Sequence, residues 1–287
     1  MISIQVAPAF ASEYPLFIVD VGISINNLFT TNPHQIPGYG FSTPPSANDK
    51  LSVGLTILEA FSSYNLQTST STTDSSSTAP VILIGHDRGA RIAHRLSVSS
   101  PPSSISINSV ILLDIVPTIV QFSSFATPKV AQATFHWSFL ANAELATSMI
   151  TAYGGPKWVR ESVLKWCGPA ARQSEDFKKG VEVYARHFGN ESVVRASCED
   201  YQAGAEKDSD SQIEDQREGR KVRVPVLVVY SQGYLGSRYD VKKVWEEWVG
   251  EGVKLETKGL GNGIGHFLPE EAPKEIIDVI KGWVESS

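Results

Sequence analysis

The sequence predicts an α/β fold: a mostly parallel sheet flanked by helices, with a helical cap inserted into it. Three observations carry that expectation. Short apolar runs alternate with helical stretches, the pattern of a parallel sheet covered on both faces. One of these runs, residues 81–84, stops at Gly85 and passes through His86-Asp87-Arg88-Gly89 into a helical stretch. A long block between two buried strands is helical in pattern, rich in aromatics and without strand signals.

Taken in order, residues 14–20 read as a short strand closed by Asp20. Residues 21–35 have no clear period, and residues 36–42 form a turn-rich loop around Pro37, Gly38 and Gly40. A helix is expected over 51–61, followed at 62–79 by a stretch of mostly Ser and Thr. That composition cannot build a core and predicts a surface loop. Strand 81–84 leads into a helix over 90–96, and strand 110–113 runs into Asp114 and Pro117. The helical block covers about 119–183, and the charged stretch 206–221 is a solvated linker or a helix end with a loop. A third strand over 223–230, a helix over 241–248, a glycine-rich loop at 259–265 ending in His266 and an amphipathic helix over 273–284 complete the chain. The expected division is a core at 1–118, a cap at 119–222 and the rest of the core at 223–287.

The turn at Asp87 has the form of a nucleophile elbow, G-x-S-x-G, with aspartate at the apex. Strand and helix pass so close there that glycines are expected on either side. An Asp87 that only caps the following helix would fit the same spacing. Asp87, Asp114 and His266 then follow in the order nucleophile, acid, histidine of α/β-hydrolases. No acid stands near the end of the third strand, so Asp114 is the better candidate for the acid and Asp240 the runner-up. A carboxylate nucleophile attacks saturated carbon and leaves an alkyl ester on the enzyme, and the histidine then activates water against that ester. The expected chemistry is therefore carbon–halogen or epoxide hydrolysis.

Five blocks carry a more specific resemblance: Gly85-His86-Asp87-Arg88-Gly89-Ala90-Arg91, Leu113-Asp114-Ile115-Val116-Pro117-Thr118, Phe135-His136-Trp137, Cys198-Glu199-Asp200-Tyr201-Gln202-Ala203-Gly204-Ala205 and Gly265-His266-Phe267-Leu268-Pro269-Glu270-Glu271-Ala272-Pro273. From about residue 80 onward the chain resembles the haloacetate (fluoroacetate) dehalogenases. The resemblance implies that Arg88 and Arg91 bind the substrate carboxylate. Three residues apart, they share a helix face, and forked guanidiniums suit a carboxylate; an Arg91 paired with a neighbouring acid is the plainer option. It also implies that His136, Trp137 and Tyr201 hold the departing halide with N–H and O–H donors, although aromatic residues more often simply pack. The related epoxide hydrolases commonly have tryptophan after the nucleophile, so Arg88 favours the dehalogenase side. The chain departs from the family in lacking a His-Gly-x-Pro loop, which supplies an oxyanion donor, and the strands before Asp20. The N-terminal strands are thus expected to be missing, which would expose an edge of the sheet. Residues 21–35 read as a retained intron in a eukaryotic gene, because Val21-Gly22 can be encoded from GT and Gln35 can end in AG. A chain so altered could also be a non-catalytic fragment.

Of the 287 residues, 41% are hydrophobic and 20% charged, which provides for an ample core. A net charge of −6 argues against nucleic acid and anionic membranes as partners. The expected partner is a small-molecule substrate, with a homodimer left open and no metal or organic cofactor implied. The two cysteines, Cys167 and Cys198, have no metal-ligand spacing and read as small buried hydrophobes. With no apolar run near the ~20 residues of a membrane span and no basic leader, a cytoplasmic protein is expected.

Overall fold

The computed structural model describes residues 5–20, 34–40, 42–68, 78–100, 102–261 and 263–286. Strands β1 (Val19–Asp20) and β2 (His34–Gln35) form a small parallel pair. The central sheet contains β3 (Ala79–His86), β4 (Ile105–Leu113), β5 (Val226–Ser231) and β6 (Leu255–Leu260), in that spatial order and all parallel. This is the mostly parallel sheet that the sequence predicts.

Strand β4 shows why the sheet is buried. Its side chains alternate between faces, and both faces are covered. Val110 and Leu112 join a cluster with Trp245 and Trp248. Ile111 and Leu113 join another with Ile276, Ile280 and Trp283 of the C-terminal helix Pro273–Ser286. Each such side chain contributes about 1.5–3 kcal/mol on burial. The sheet's outer strand β3 differs: among the described residues it pairs only with β4, and Ile82 and Ile84 are 37% and 39% exposed.

Register places the chemistry. His86 is opposite Leu113, and Leu113 is opposite Val229. The residues that follow β3 and β4 therefore leave the sheet side by side. Asp87 N donates to Leu113 O at 3.3 Å, and Asp114 N donates to Val229 O at 2.8 Å.

Several expectations change. The first long helix is Lys50–Thr68, so residues 62–68 continue it rather than opening a Ser/Thr loop; residues 69–77 lie outside the described residues. Among the described residues, only Val19–Asp20 of the expected 14–20 strand is paired; Pro15 has no amide hydrogen to give a ladder. Its partner β2 belongs to the stretch read as foreign, of which 21–33 lie outside the described residues. Residues 259–260 of the expected glycine-rich loop belong to strand β6, whose Leu-Glu-Thr-Lys-Gly-Leu alternation of partly buried and exposed residues lacks an apolar run.

Between β4 and β5 stand helices from Thr118–Ser123 to Ser209–Arg217. The charged stretch resolves as a helix end, with a π-helical turn Gly204–Asp208 running into Ser209–Arg217. This helical insert is tied to the first long helix, where Lys50 N donates to Asp208 Oδ1 at 2.8 Å. No helix among the described residues is long and apolar enough to cross a membrane.

Candidate active site

Asp87 sits at the apex between β3 and the helix Arg88–Val98, with φ 48° and ψ −112°. Asp114 also has a positive φ, 55°. Left-handed backbone is costly for residues with a Cβ and is found where the surroundings impose it. Asp87 makes no side-chain capping hydrogen bond, so its carboxylate is not used up by the helix. A Cβ at Gly85 would lie 2.3 Å from the Gly89 carbonyl carbon and oxygen. Gly89 itself has open space where its Cβ would stand, so of the two expected glycines only the first is required by close approach.

His266 lies between the two carboxylates. Its Nδ1 is 2.8 Å from Asp114 Oδ2, and its Nε2 is 3.7 Å from Asp87 Oδ1. The first is a hydrogen bond; the second is an ion-pair separation. Asp114 Oδ1 accepts from Ser231 N at 2.8 Å and from Ser231 Oγ at 2.9 Å. Ser231 occupies the strand end where the sequence shows no acid. Asp240, the runner-up, instead caps Val241–Glu246 by accepting from Lys243 N at 3.1 Å. Burial alone would lower the pKa of His266, but Asp114 and Asp87 outweigh it and hold it well above the usual value. Burial likewise pushes Asp87 up, yet His266 and then Arg88 bring it below the carboxylate range. The neighbouring His86 is driven down to about 3 by burial and by His266, and donates its Nε2 hydrogen to His266 O at 2.8 Å.

The two arginines are held differently. Arg88 forms an ion pair with Asp200, hydrogen-bonds Ser197 Oγ at 3.1 Å, and lies 4.7 Å from the Tyr201 ring centroid. Asp200 also takes Lys50 at 2.8 Å, and Lys50 reaches Asp208 at 3.1 Å. Arg91 has no carboxylate at ion-pair distance among the described residues. It donates to Val116 O at 3.1 Å and to Thr118 Oγ1 at 3.2 Å, and lies 4.6 Å from the Trp137 ring centroid. Burial lowers its pKa. The pairing with an acid that the sequence left open for Arg91 thus falls on Arg88.

Of the residues implied for halide, His136 is buried, with Nδ1 unpartnered among the described residues. Burial lowers its pKa to about 3. Trp137 and Tyr201 meet edge to face at 5.3 Å, their faces carrying Arg91 and Arg88. Burial holds the Tyr201 phenol above its usual value. Asp87, Arg88, Arg91, Asp114, His136, Trp137, Tyr201 and His266 all line one cavity, which also extends past Val6, Phe10, Ile82 and Ile280 and measures about 870 Å³ in all. The fold therefore brings these eight residues singled out in the sequence to one place, and leaves the runner-up Asp240 outside it. Lys50, Asp200 and Ser231 were not singled out; Asp200 stands in a quoted block, directly before Tyr201, whereas Lys50 carries no local signal. No group of histidines, cysteines and acids among the described residues is arranged to hold a metal ion. Cys167 and Cys198 are free and buried.

No family model matches the chain. It is 29% identical over 207 residues to a fluoroacetate dehalogenase from Burkholderia sp., covering 71% of this chain and 64% of that one. It is 24% identical over 204 residues to a soluble epoxide hydrolase from Corynebacterium sp. (strain C12), covering 68% and 64%. The chain thus spans 64% of the length of these curated relatives. Among solved structures, a Nostoc sp. PCC 7120 protein described as an α/β hydrolase superposes with TM-score 0.72 at 29% identity, covering 90% of this chain and 82% of that one. Sequence and fold together place the chain in the α/β-hydrolase superfamily. A Pseudomonas aeruginosa protein described as an epoxide hydrolase, in a mutant form, superposes with TM-score 0.71 at 25% identity, covering 88% and 78%. This α/β-hydrolase core therefore has relatives named for dehalogenation and for epoxide hydrolysis, all at low identity.

Proposed function

We propose that the protein hydrolyses a small haloacid, such as a haloacetate, through an ester on Asp87. An Asp87 carboxylate oxygen attacks the halogen-bearing carbon, and the halide leaves with the bonding pair. His136, Trp137 and Tyr201 offer N–H and O–H donors to the departing ion. Once Asp87 is an ester, its negative charge is gone and His266 keeps only Asp114 as a carboxylate partner. Its pKa then falls, so it can take a proton from water as that water attacks the ester carbonyl. The Arg88 amide, the first N–H of its helix, has no intrahelical acceptor and offers an oxyanion contact, a kind worth about 3 kcal/mol. Collapse of the tetrahedral intermediate releases the 2-hydroxy acid and regenerates Asp87.

The observation that carries this reading is Arg91, a buried guanidinium without a carboxylate partner among the described residues, in the same cavity as Asp87. A substrate carboxylate supplies the missing charge. The resemblance to a fluoroacetate dehalogenase supports it. The test is halide release from fluoroacetate and chloroacetate. Release that disappears in Asp87→Asn is the expected result, and no halide from folded protein overturns the proposal.

Epoxide hydrolysis is the second reading. It is favoured by the Tyr39 and Tyr201 phenols, which burial keeps protonated at the cavity wall. Turnover of styrene oxide without halide release from haloacetates would select it.

A further inference from the structure

Glu271 follows His266 by five residues, at the end of the short helix Leu268–Glu271. Its two carboxylate oxygens accept three backbone amides. Oε2 takes Gly265 N and Gly168 N, each at 2.8 Å, and Oε1 takes Phe267 N at 3.0 Å. Two of these amides flank His266. The third belongs to the helical insert. His266 N in turn donates to Trp166 O at 3.0 Å, so insert and histidine loop hold each other from both directions. The two backbones touch: a Cβ at Gly265 would lie 2.4 Å from Trp166 O, and one at Gly168 would lie 2.0 Å from Gly263 O.

We propose that Glu271 is a positioning residue, a clamp that fixes the His266 ring between Asp114 and Asp87 by fixing the backbone on both sides of it and joining it to the insert. Charge-assisted bonds from three amides suit this task, because a carboxylate accepts at both oxygens while offering no donor. An amide side chain keeps one acceptor and turns an NH₂ group toward an N–H, so glutamine fills only part of the role.

This inference rests on the two-step reading of Asp87, and that reading supplies the test. His266 acts only in ester hydrolysis. Loosening its loop therefore leaves ester formation intact and slows the step that follows. Chloroacetate is mixed with the parent, Glu271→Ala, Glu271→Gln and His266→Ala, and the ester on Asp87 is read by intact-protein mass spectrometry beside steady-state halide release. Glu271→Ala is expected to accumulate the ester and to lose about 10²-fold in turnover, the scale of an ångström-sized misplacement. Glu271→Gln is expected to fall between it and the parent. A merely structural role would lower the folded fraction without enriching the ester in the protein that folds. If Glu271→Ala does not fold, Glu271→Gln carries the decision. Ester in His266→Ala with parent-like behaviour of the folded Glu271 variants overturns the clamp. Absence of ester and of halide release in all four proteins overturns the two-step reading instead.

Discussion

His266 and its partners form one wall of the cavity, Arg88 and Arg91 another, and the walls differ in how buried charge is balanced. On the histidine wall Asp114 receives three hydrogen bonds, from Ser231 N, Ser231 Oγ and His266 Nδ1. The backbone of His266 is met on both sides, by Trp166 O and His86 Nε2. On the arginine wall Arg88 is matched by Asp200, in a chain that continues to Lys50 and Asp208, whereas Arg91 has, among the described residues, a carbonyl, a hydroxyl and the face of Trp137. A buried charge without a counter-ion is expensive. The histidine wall is satisfied from within the protein, whereas Arg91 has no carboxylate at ion-pair distance among the described residues, which is why the proposed substrate carboxylate is assigned to it.

Breaking the first wall has the largest expected effect. Asp114→Asn keeps the size of the side chain but removes the charge that orients and supports His266. Steady-state halide release is expected to fall about 10⁴-fold, the scale of losing an orienting aspartate. The initial burst of halide should remain, because ester formation needs only Asp87. Rapid-quench measurement of the burst checks both halves; loss of burst and turnover together would place Asp114 in the first step.

The arginine wall should respond asymmetrically. Arg91→Leu is expected to lower kcat/KM for chloroacetate by up to about 10²-fold, from the ~1.5–3 kcal/mol of a charged hydrogen bond, without lowering stability. Asp200→Asn leaves Arg88 without its counter-ion and Lys50 with Asp208, and unfolding in urea should show a loss of about 3–5 kcal/mol. Equal stability losses in the two variants would erase the distinction drawn between the arginines.

How much of this was legible follows the range of each interaction. Asp87, Asp114 and His266 each stand where a strand or loop ends in the sequence, so chain order and turn residues reveal them without contacts. The Arg88–Asp200 pair joins residues 112 positions apart, and Lys50 reaches Asp200 across 150. No periodicity encodes such a pairing. Glu271 lies in a recognisable block, yet its role is fixed by Gly168, on another element. Strand β6 carries no signal in the sequence for a related reason: among the described residues it lies at the sheet edge, half exposed, and needs no apolar run to pair with β5.

Buried histidines make the protein weaker in acid. Burial lowers His86, His94 and His136 to about 3, from 6.5. Between those values the unfolded chain binds protons that the native chain refuses, so stability is full above about pH 6.5 and is lost as pH falls. The slope is about 1.4 kcal/mol per pH unit for each such group. His94 is outside the cavity's chemistry, packed on Trp245 and Trp248 with Nε2 unpartnered among the described residues. In His94→Leu, Tm measured from pH 6.5 to 4.5 should fall less steeply than in the parent. An unchanged slope would show that His94 takes up its proton in the native state.

The smallest effect tests the acid assignment itself. Asp240 was the alternative partner for His266, and its side chain is instead engaged with Lys243 N at the start of Val241–Glu246. Asp240→Ala should therefore cost about 1 kcal/mol, the usual value of a helix cap, and leave both the halide burst and turnover unchanged. Asp240→Asn, which keeps a capping oxygen, should recover most of that stability. A loss of turnover in either variant, with the burst preserved, would give Asp240 a part in ester hydrolysis. The contrast between the two walls would then have to be redrawn, since Asp114 alone would no longer account for His266.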